Sequence, residues 1–481
     1  MEFYGDSPQY VIRPSGGAVL ADFTSRVNKI VVASIDRYMW GEGFQKCKSL
    51  GYYEKTRSGN IGERENYLRV SVPNADGSGG GVVDSHGSFY YSEANHNYYA
   101  DFQKIKNNLL HEFAPLKSLP VVAEIDSVAA KIDAVRNDLS VEVTSSSYRT
   151  TGVASSIKTI QSLQQLIRGG NYADFASYVT NRIPGVVDAI GSIVACMLSA
   201  VQAEKDAIVT FRNDLGNAMD QLAKELDGRG SSITLADVLA VVSWALGAAS
   251  TIGTGGTTAI AKLAVDSVIT VSTISYSASK QSATASGIGW GIDAGPKAVR
   301  ELLVSRKAES SLSAALFDAE EQLGVFLNLT NKLVIGSSEP YDLHPYLMQG
   351  KASGMSVEDL DAVRSVAVDT FPALTDALRS SAKELAGISI STALSRSWEV
   401  GRGVSGISPE YNQLNSFVVD ALNALAEELD EVAYSLKKYV TDLENAEAES
   451  AAALTTAAND LHPKMPKVYS DQFYSEKRRH Q

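Results

Sequence analysis

An apolar rhythm near the end of the chain limits the fold more than any other feature. Val418, Leu422, Leu425, Leu429, Val432, Leu436, Tyr439 and Leu443 recur at alternating steps of four and three. That spacing keeps a stripe on one side of an α-helix, and the stripe demands another helix to cover it. Glu427, Glu428, Asp430, Glu431, Glu444, Glu447 and Glu449 fill the remaining faces, as the solvated side of a bundle helix does. Ser408 and Pro409 mark its start, a capping hydroxyl followed by a proline that the first turn tolerates.

The same grammar runs back to Pro120. Ile125, Val128, Ile132, Val135 and Leu139 form one seam, and Ile157, Ile160, Leu163, Leu166 and Ile167 form a second that stops at Gly169-Gly170. After Pro184, a face of Val187, Ile190, Val194, Met197, Val201, Ile208, Phe211, Leu215, Leu222 and Leu226 predicts one very long helix. About forty residues at 1.5 Å each give a rod of roughly 60 Å. Residues 291–334 predict another long helix through Val299, Leu302, Leu303, Leu312, Leu316, Leu323 and Phe326. Val357–Ile390 follows, bent or broken at Pro372.

Residues 1–120 read differently. Ten of the 21 tyrosines lie in the first hundred residues, beside the run Gly77-Ser78-Gly79-Gly80-Gly81. One helix is visible, with Leu20, Phe23, Val27, Ile30, Val31, Ile35 and Tyr38 on one face. Tyr67–Pro73 alternates like a strand, with Val82-Val83 and Ser88–Tyr91 as partners across the glycine turn. The expected fold is therefore mainly α, an elongated bundle of long helices with a small mixed α/β or irregular N-terminal head. Along the chain it divides into a head (1–120), a long-helix region (121–235), an apolar small-residue helical hairpin (236–290), a C-terminal helical bundle (291–462) and a basic tail (463–481).

Composition removes several function classes. With 44% apolar and 21% charged residues, the 481-residue chain has material for a sizeable core and is not a disordered tail. Its net charge of −13 argues against a nucleic-acid partner. Two cysteines, Cys47 and Cys196, exclude a disulfide scaffold and a four-cysteine zinc site. The start, Met1-Glu2-Phe3-Tyr4-Gly5-Asp6, lacks the basic and apolar pattern of a cleaved secretory signal.

Catalytic patterns are poor. His111-Glu112 is not completed into a two-histidine zinc helix, and His86 and His96 have no third ligand. Gly253-Thr254-Gly255-Gly256 lacks the strand and the Lys-Ser/Thr of a phosphate cradle. Ser277–Lys280 matches a serine-lysine spacing in letters alone. No catalytic residue, metal ligand or cofactor site is predicted, and the chain is read as not an enzyme. The central stretch is unusual, with 24 uncharged residues between Asp237 and Lys262. Trp244, Leu246, Gly253, Gly255 and Gly256 mark an expected hairpin over 238–279. Burial in the bundle is its first reading and insertion into a membrane its second, because each arm is short or dilute for a spanning helix.

Leu385–Ser397, then Trp398-Glu399-Val400-Gly401, then Ser408-Pro409 and the long heptad helix form a hairpin pattern. With alanine-rich acidic runs such as Ala446–Ala451, it resembles the helical-hairpin substrates of bacterial type VII (ESX) secretion. Those substrates join two antiparallel helices through a Trp-x-Gly turn. Here one more residue separates Trp398 from Gly401. The resemblance implies export without a cleaved signal, so a cytoplasmic chain that ends secreted or at the cell surface. The family's Tyr-x-x-x-Asp/Glu signal has one match, Tyr38 to Glu42.

Three function classes follow. The first is a non-enzymatic structural or interaction protein that associates with itself or with a small helical partner. The second is a helical pore-forming toxin that uses 238–279. The third is an enzyme confined to the head, near His86, His96, His111 and Cys47. The tail adds a candidate docking peptide, in which Tyr469, Phe473 and Tyr474 interleave with Arg478 and Arg479 in an otherwise acidic protein.

Overall fold

Phe23, Val27, Ile30, Val31 and Ile35 all turn inward from α1 (Phe23–Gly41), so the predicted helix forms and its apolar face is its buried face. The computed structural model describes residues 22–57, 66–86, 93, 95–139, 152–168, 182–228, 243–245, 275–277, 289–305, 311–336, 356–357 and 359–461. Four antiparallel strands follow α1 in sequential order: β1 (Gln45–Cys47), β2 (Tyr52–Arg57), β3 (Asn66–Ser71) and β4 (Gly81–His86). In β3, Asn66, Leu68 and Val70 face the core while Tyr67, Arg69 and Ser71 face outward, the period-two pattern of a half-buried strand. The glycine-rich turn joins β3 to β4, as expected. Gly80 has φ +106 and lies against the Phe102 ring, where no side chain would fit. Ser88–Tyr91 lies outside the described residues.

The head also holds a helix that the sequence reading missed, α2 (Tyr98–Phe113), N-capped by the Asn97 carboxamide oxygen, which accepts from the Ala100 amide at 3.0 Å. Its apolar positions Phe102, Ile105, Leu109 and Phe113 are buried, but lysines and asparagines between them dilute the signal. Edge-to-face rings lock the layers: Phe23 on Phe113 at 5.9 Å, Phe44 on Tyr98 at 5.4 Å and Tyr53 on Phe102 at 6.3 Å.

Long helices make up most of the rest, so the fold is mainly α with a small α/β head. They are α3 (Val122–Asp138), α4 (Gly152–Gln161) and α5 (Ile183–Asp227), then α6 (Ala294–Val299) with a π-turn at Arg300–Val304. Next come α7 (Leu312–Gly336), α8 (Leu360–Ser365), α9 (Phe371–Ala386) and α10 (Ser408–Leu461). The single helix expected over 291–334 is interrupted. The extended backbone of Ser305 ends the first piece, and Ser311 caps the second with its hydroxyl on the Ala314 amide. The break expected at Pro372 is a π-turn over Val366–Thr370 just before it, which absorbs the missing amide hydrogen bond.

The polypeptide divides into two compact units, interleaved rather than consecutive. The first combines residues 1–136, 191–337 and 384–419. Its core joins α1, the sheet and α2 to Phe211, Leu215, Met219, Leu222 and Leu226 of α5 and to Leu302, Leu303, Leu312 and Leu316. Each such side chain contributes roughly 1.5–3 kcal/mol when fully buried. The second combines 137–190, 338–383 and 420–481. It buries Ile157 and Ile160 of α4, Phe371, Leu374 and Leu378 of α9, and the α10 seam from Leu422 to Val440. Ion pairs Arg379–Asp430 (2.6 Å) and Arg364–Glu444 lie on its surface.

The helical hairpin expected over 238–279 is corrected where it is described. Ser243–Ala245 pairs antiparallel with Ser275–Ser277 as two short strands, with Trp244 opposite Tyr276. Trp, Tyr and their serine neighbours favour extended backbone over helix once glycine breaks the helical run. Leu246, Gly253, Gly255 and Gly256 lie outside the described residues, as does the tail with Tyr469, Phe473, Tyr474, Arg478 and Arg479.

Candidate functional site

Trp398 and Gly401 meet in one loop of the first unit, between a helical turn at Ile390–Ala393 and the start of α10. Gly401 takes φ +57, and a Cβ there would lie 2.6 Å from a Glu320 carboxylate oxygen. Only glycine satisfies both the left-handed backbone and the close approach. Leu385–Ser397 before it is helical only to Ala386 and over Ile390–Ala393. Residues 398–407 form a run of bends and turns, and a buried set of charges holds the loop in place.

Arg396 is the centre. Its guanidinium is inaccessible to solvent, 3.4 Å from Glu204 Oε1 and 2.5 Å from Glu320 Oε1. It also donates through Nε to the Gly403 carbonyl at 3.0 Å, and its amide donates to the Val404 carbonyl at 3.1 Å. The Arg402 amide donates to Glu320 Oε2 at 2.5 Å, and its guanidinium to Glu410 Oε1 at 2.5 Å. Ser313 is consumed by the loop backbone. Its hydroxyl donates to the Glu399 carbonyl at 2.9 Å and accepts from the Gly401 amide at 3.2 Å.

Three carboxyl groups therefore face two guanidinium groups. Burial raises the pKa of Glu204, and Arg396 pulls it back in part. Burial raises Glu320 further above the usual range, and the neighbouring Glu204 carboxyl adds to the rise. Burial comes first in both shifts, and two carboxyl groups in one dry site oppose each other's ionisation. Such a set contributes little net stability compared with apolar packing, but losing one partner strands a buried charge. Its effect is to fix the loop.

The fixed loop presents Trp398, 58% exposed, and Val404, 54% exposed, on its outer side. A large aromatic ring on a rigid base is the residue type that dominates protein interfaces.

Sequence reasoning missed Glu204, Glu320, Arg396, Arg402 and Glu410, although a signal existed. Glu204 stands between Val201 and Ile208, and Glu320 between Leu316 and Leu323, at steps of three and four. Both occupy seam positions where the rhythm asks for an apolar residue.

The other predicted residues are scattered. Tyr38 is buried in the head and donates its hydroxyl to Asp101 at 2.7 Å, while Glu42 caps the end of α1. The folded chain thus holds the Tyr38 ring in its core instead of displaying it. His86 stacks on Tyr67, His96 pairs with Asp101 at 2.5 Å, and His111 lies in the last turn of α2. Among the described residues no group of three or more His, Cys, Asp or Glu side chains is placed to hold a metal. A polar cavity of about 440 Å³ between α3 and α5 is lined by Asp126, Asp133, Ser199, Gln202 and Lys205, with Lys205 paired to Asp126 at 3.0 Å. Among the described helices, α5 is long and apolar enough to cross a membrane, and most of its apolar window is buried inside the protein.

No protein-family model, curated protein or solved structure matches the chain.

Proposed function

We propose that this chain is a non-enzymatic structural and interaction protein that assembles through helical surfaces, with a second copy or a small helical partner. The observation that supports it is the end of α10. Its seam is buried through Val440, yet residues 445–459 remain helical with every side chain exposed. That stretch is about 22 Å long at 1.5 Å per residue. It extends a helix already nucleated by the buried turns before it, but its own exposed side chains add no packing, so a second helix laid on it would stabilise it. The 3–4 positions continue as Ala446, Ser450, Ala453 and Ala457, small enough for a close helix approach, with Leu454 exposed nearby.

Charge supports the same reading. Glu447 and Glu449, with Asp442 and Glu444 just before them, make this end of α10 acidic, while Tyr469, Phe473, Tyr474, Arg478 and Arg479 supply an aromatic, basic segment within the same chain. Export by a type VII-like route belongs to the proposal through the Trp398–Gly401 turn between helical segments. The membrane alternative rests on the sequence of 238–279 alone.

Sedimentation of the full chain against a chain lacking residues 445–481 tests the assembly. The full chain should sediment as an oligomer, or bind a helical partner, and the shortened chain should lose that assembly with an unchanged melting temperature. A full chain that stays monomeric and partnerless at every concentration would sink the reading.

A further inference from the structure

Helix α7 has apolar side chains on two faces. Leu323, Phe326, Leu327 and Val334 are buried, whereas Val325 (51%), Leu329 (48%) and Leu333 (40%) are exposed. The exposed three lie at i, i+4 and i+8, which on a helix is one continuous ridge. A helix that is apolar all round belongs in an interior, and a contiguous exposed ridge of Val and Leu marks a contact surface.

We infer that this ridge is the contact between two copies of the chain, made by α7 of one copy crossing α7 of the other in antiparallel sense. The charges at its ends identify the occupant. Glu321 and Lys332 are both exposed, one turn before Val325 and just short of Leu333. A two-fold axis midway between Val325 and Leu329 sets Val325 of each copy against Leu329 of the other. The same axis brings Glu321 of each copy beside Lys332 of the other. The centre of the ridge is thus self-complementary in apolar pattern and its ends in charge, with Leu333 of each copy beside the Glu321–Lys332 pair, as an isologous interface allows. A parallel pairing would oppose like charges at both ends. The i±4n ridges of both helices then interdigitate at a crossing angle of about 50°. The ridge alone falls short of the roughly 800 Å² per partner of a stable interface, so the association is weak and concentration-dependent.

The inference rests on the proposed self-assembly, and four full-length variants separate the two. Leu329→Asp should weaken self-association at least about tenfold, a shift that sedimentation across concentration reads directly. Glu321→Lys alone should do the same, and Glu321→Lys with Lys332→Glu should restore it. Val325→Cys with Leu329→Cys should give a covalent dimer on oxidation that wild type, with its own two cysteines, does not. If wild type oligomerises while Leu329→Asp matches it and the cysteine pair does not cross-link, the α7 contact is overturned and assembly through α10 stands. A wild-type chain that is monomeric throughout overturns both the α7 contact and self-assembly.

Discussion

Arg396 Nη2 stands 2.5 Å from Glu320 Oε1 with neither side chain reaching solvent. The contact joins a loop to the middle of α7, and Glu204 of α5 completes it from the other side. Arg396→Leu removes the guanidinium that touches both carboxyls and strands them in a dry site. It should lower stability by about 3–5 kcal/mol. Urea unfolding followed by tryptophan fluorescence reads this, and an unchanged midpoint would contradict the role given to the cluster.

The same pair sets a pH dependence. Both carboxyl pKa values are raised in the folded state, so the folded chain holds a proton that the unfolded chain releases above the ordinary glutamate value of about 4.3. Their contribution is therefore present in full at low pH and is lost as pH rises through the folded values. The slope approaches about 1.4 kcal/mol per pH unit for each proton retained. Glu320→Gln, a neutral isostere, should flatten the slope and leave the chain at least as stable as wild type at pH 8. A pH–stability profile parallel to wild type would refute this.

Gly401→Ala combines two costs. Its backbone sits at φ +57, and the new Cβ would meet the Glu320 carboxylate. Gly51→Ala has a similar backbone, φ +73, with nothing within 4 Å. The first should lose about 2–3 kcal/mol and the second about 1 kcal/mol. Equal melting temperatures for the two variants would show that the close approach carries no cost.

The predicted helices were legible where apolar residues recur without interruption. Val418 to Val440 of α10 and Val187 to Leu226 of α5 read directly, because the seam positions, Glu204 excepted, carry aliphatic or aromatic side chains that are then buried. Helix α2 was not legible, since lysines and asparagines stand among its core positions. Strands β1 and β2 were missed because Glu54, Lys55 and Arg57 hide the alternation around the buried Tyr53. The turn at Trp398 and Gly401 was legible as a turn. Its anchoring was not, because Glu204, Glu320 and Arg396 are adjacent only in space, and an isolated Glu in a helix reads as a solvated charge.

Backbone amide exchange tests the end of α10. Residues 445–459 have no side-chain burial to slow their opening, so they should exchange far faster than the Leu422–Leu436 turns in dilute solution. Raising the protein concentration or adding the partner should protect them. Slow exchange at every concentration would mean that the helix is covered within one chain.

The two thiols should differ. Cys196 is buried, and burial pushes its pKa up to about 12, whereas Cys47 is half-buried. A thiol reagent at pH 8 should label Cys47 alone until the chain is denatured. Equal labelling rates would place Cys196 in a more open environment.

Arg396 and Glu204 are 192 residues apart in the chain. Until α5 and α7 have packed side by side, each of these ions keeps its own water, and there is no dry site for Arg396 to enter. The cluster is therefore expected to close after the helices that carry it, on the native side of the rate-limiting step. A chevron plot of Arg396→Leu with faster unfolding and unchanged folding would read this. Interactions formed that late leave the rate of folding alone and act on the rate of escape from the folded state. The charges beneath Trp398 therefore act as a timer, setting how long the loop keeps its shape once made.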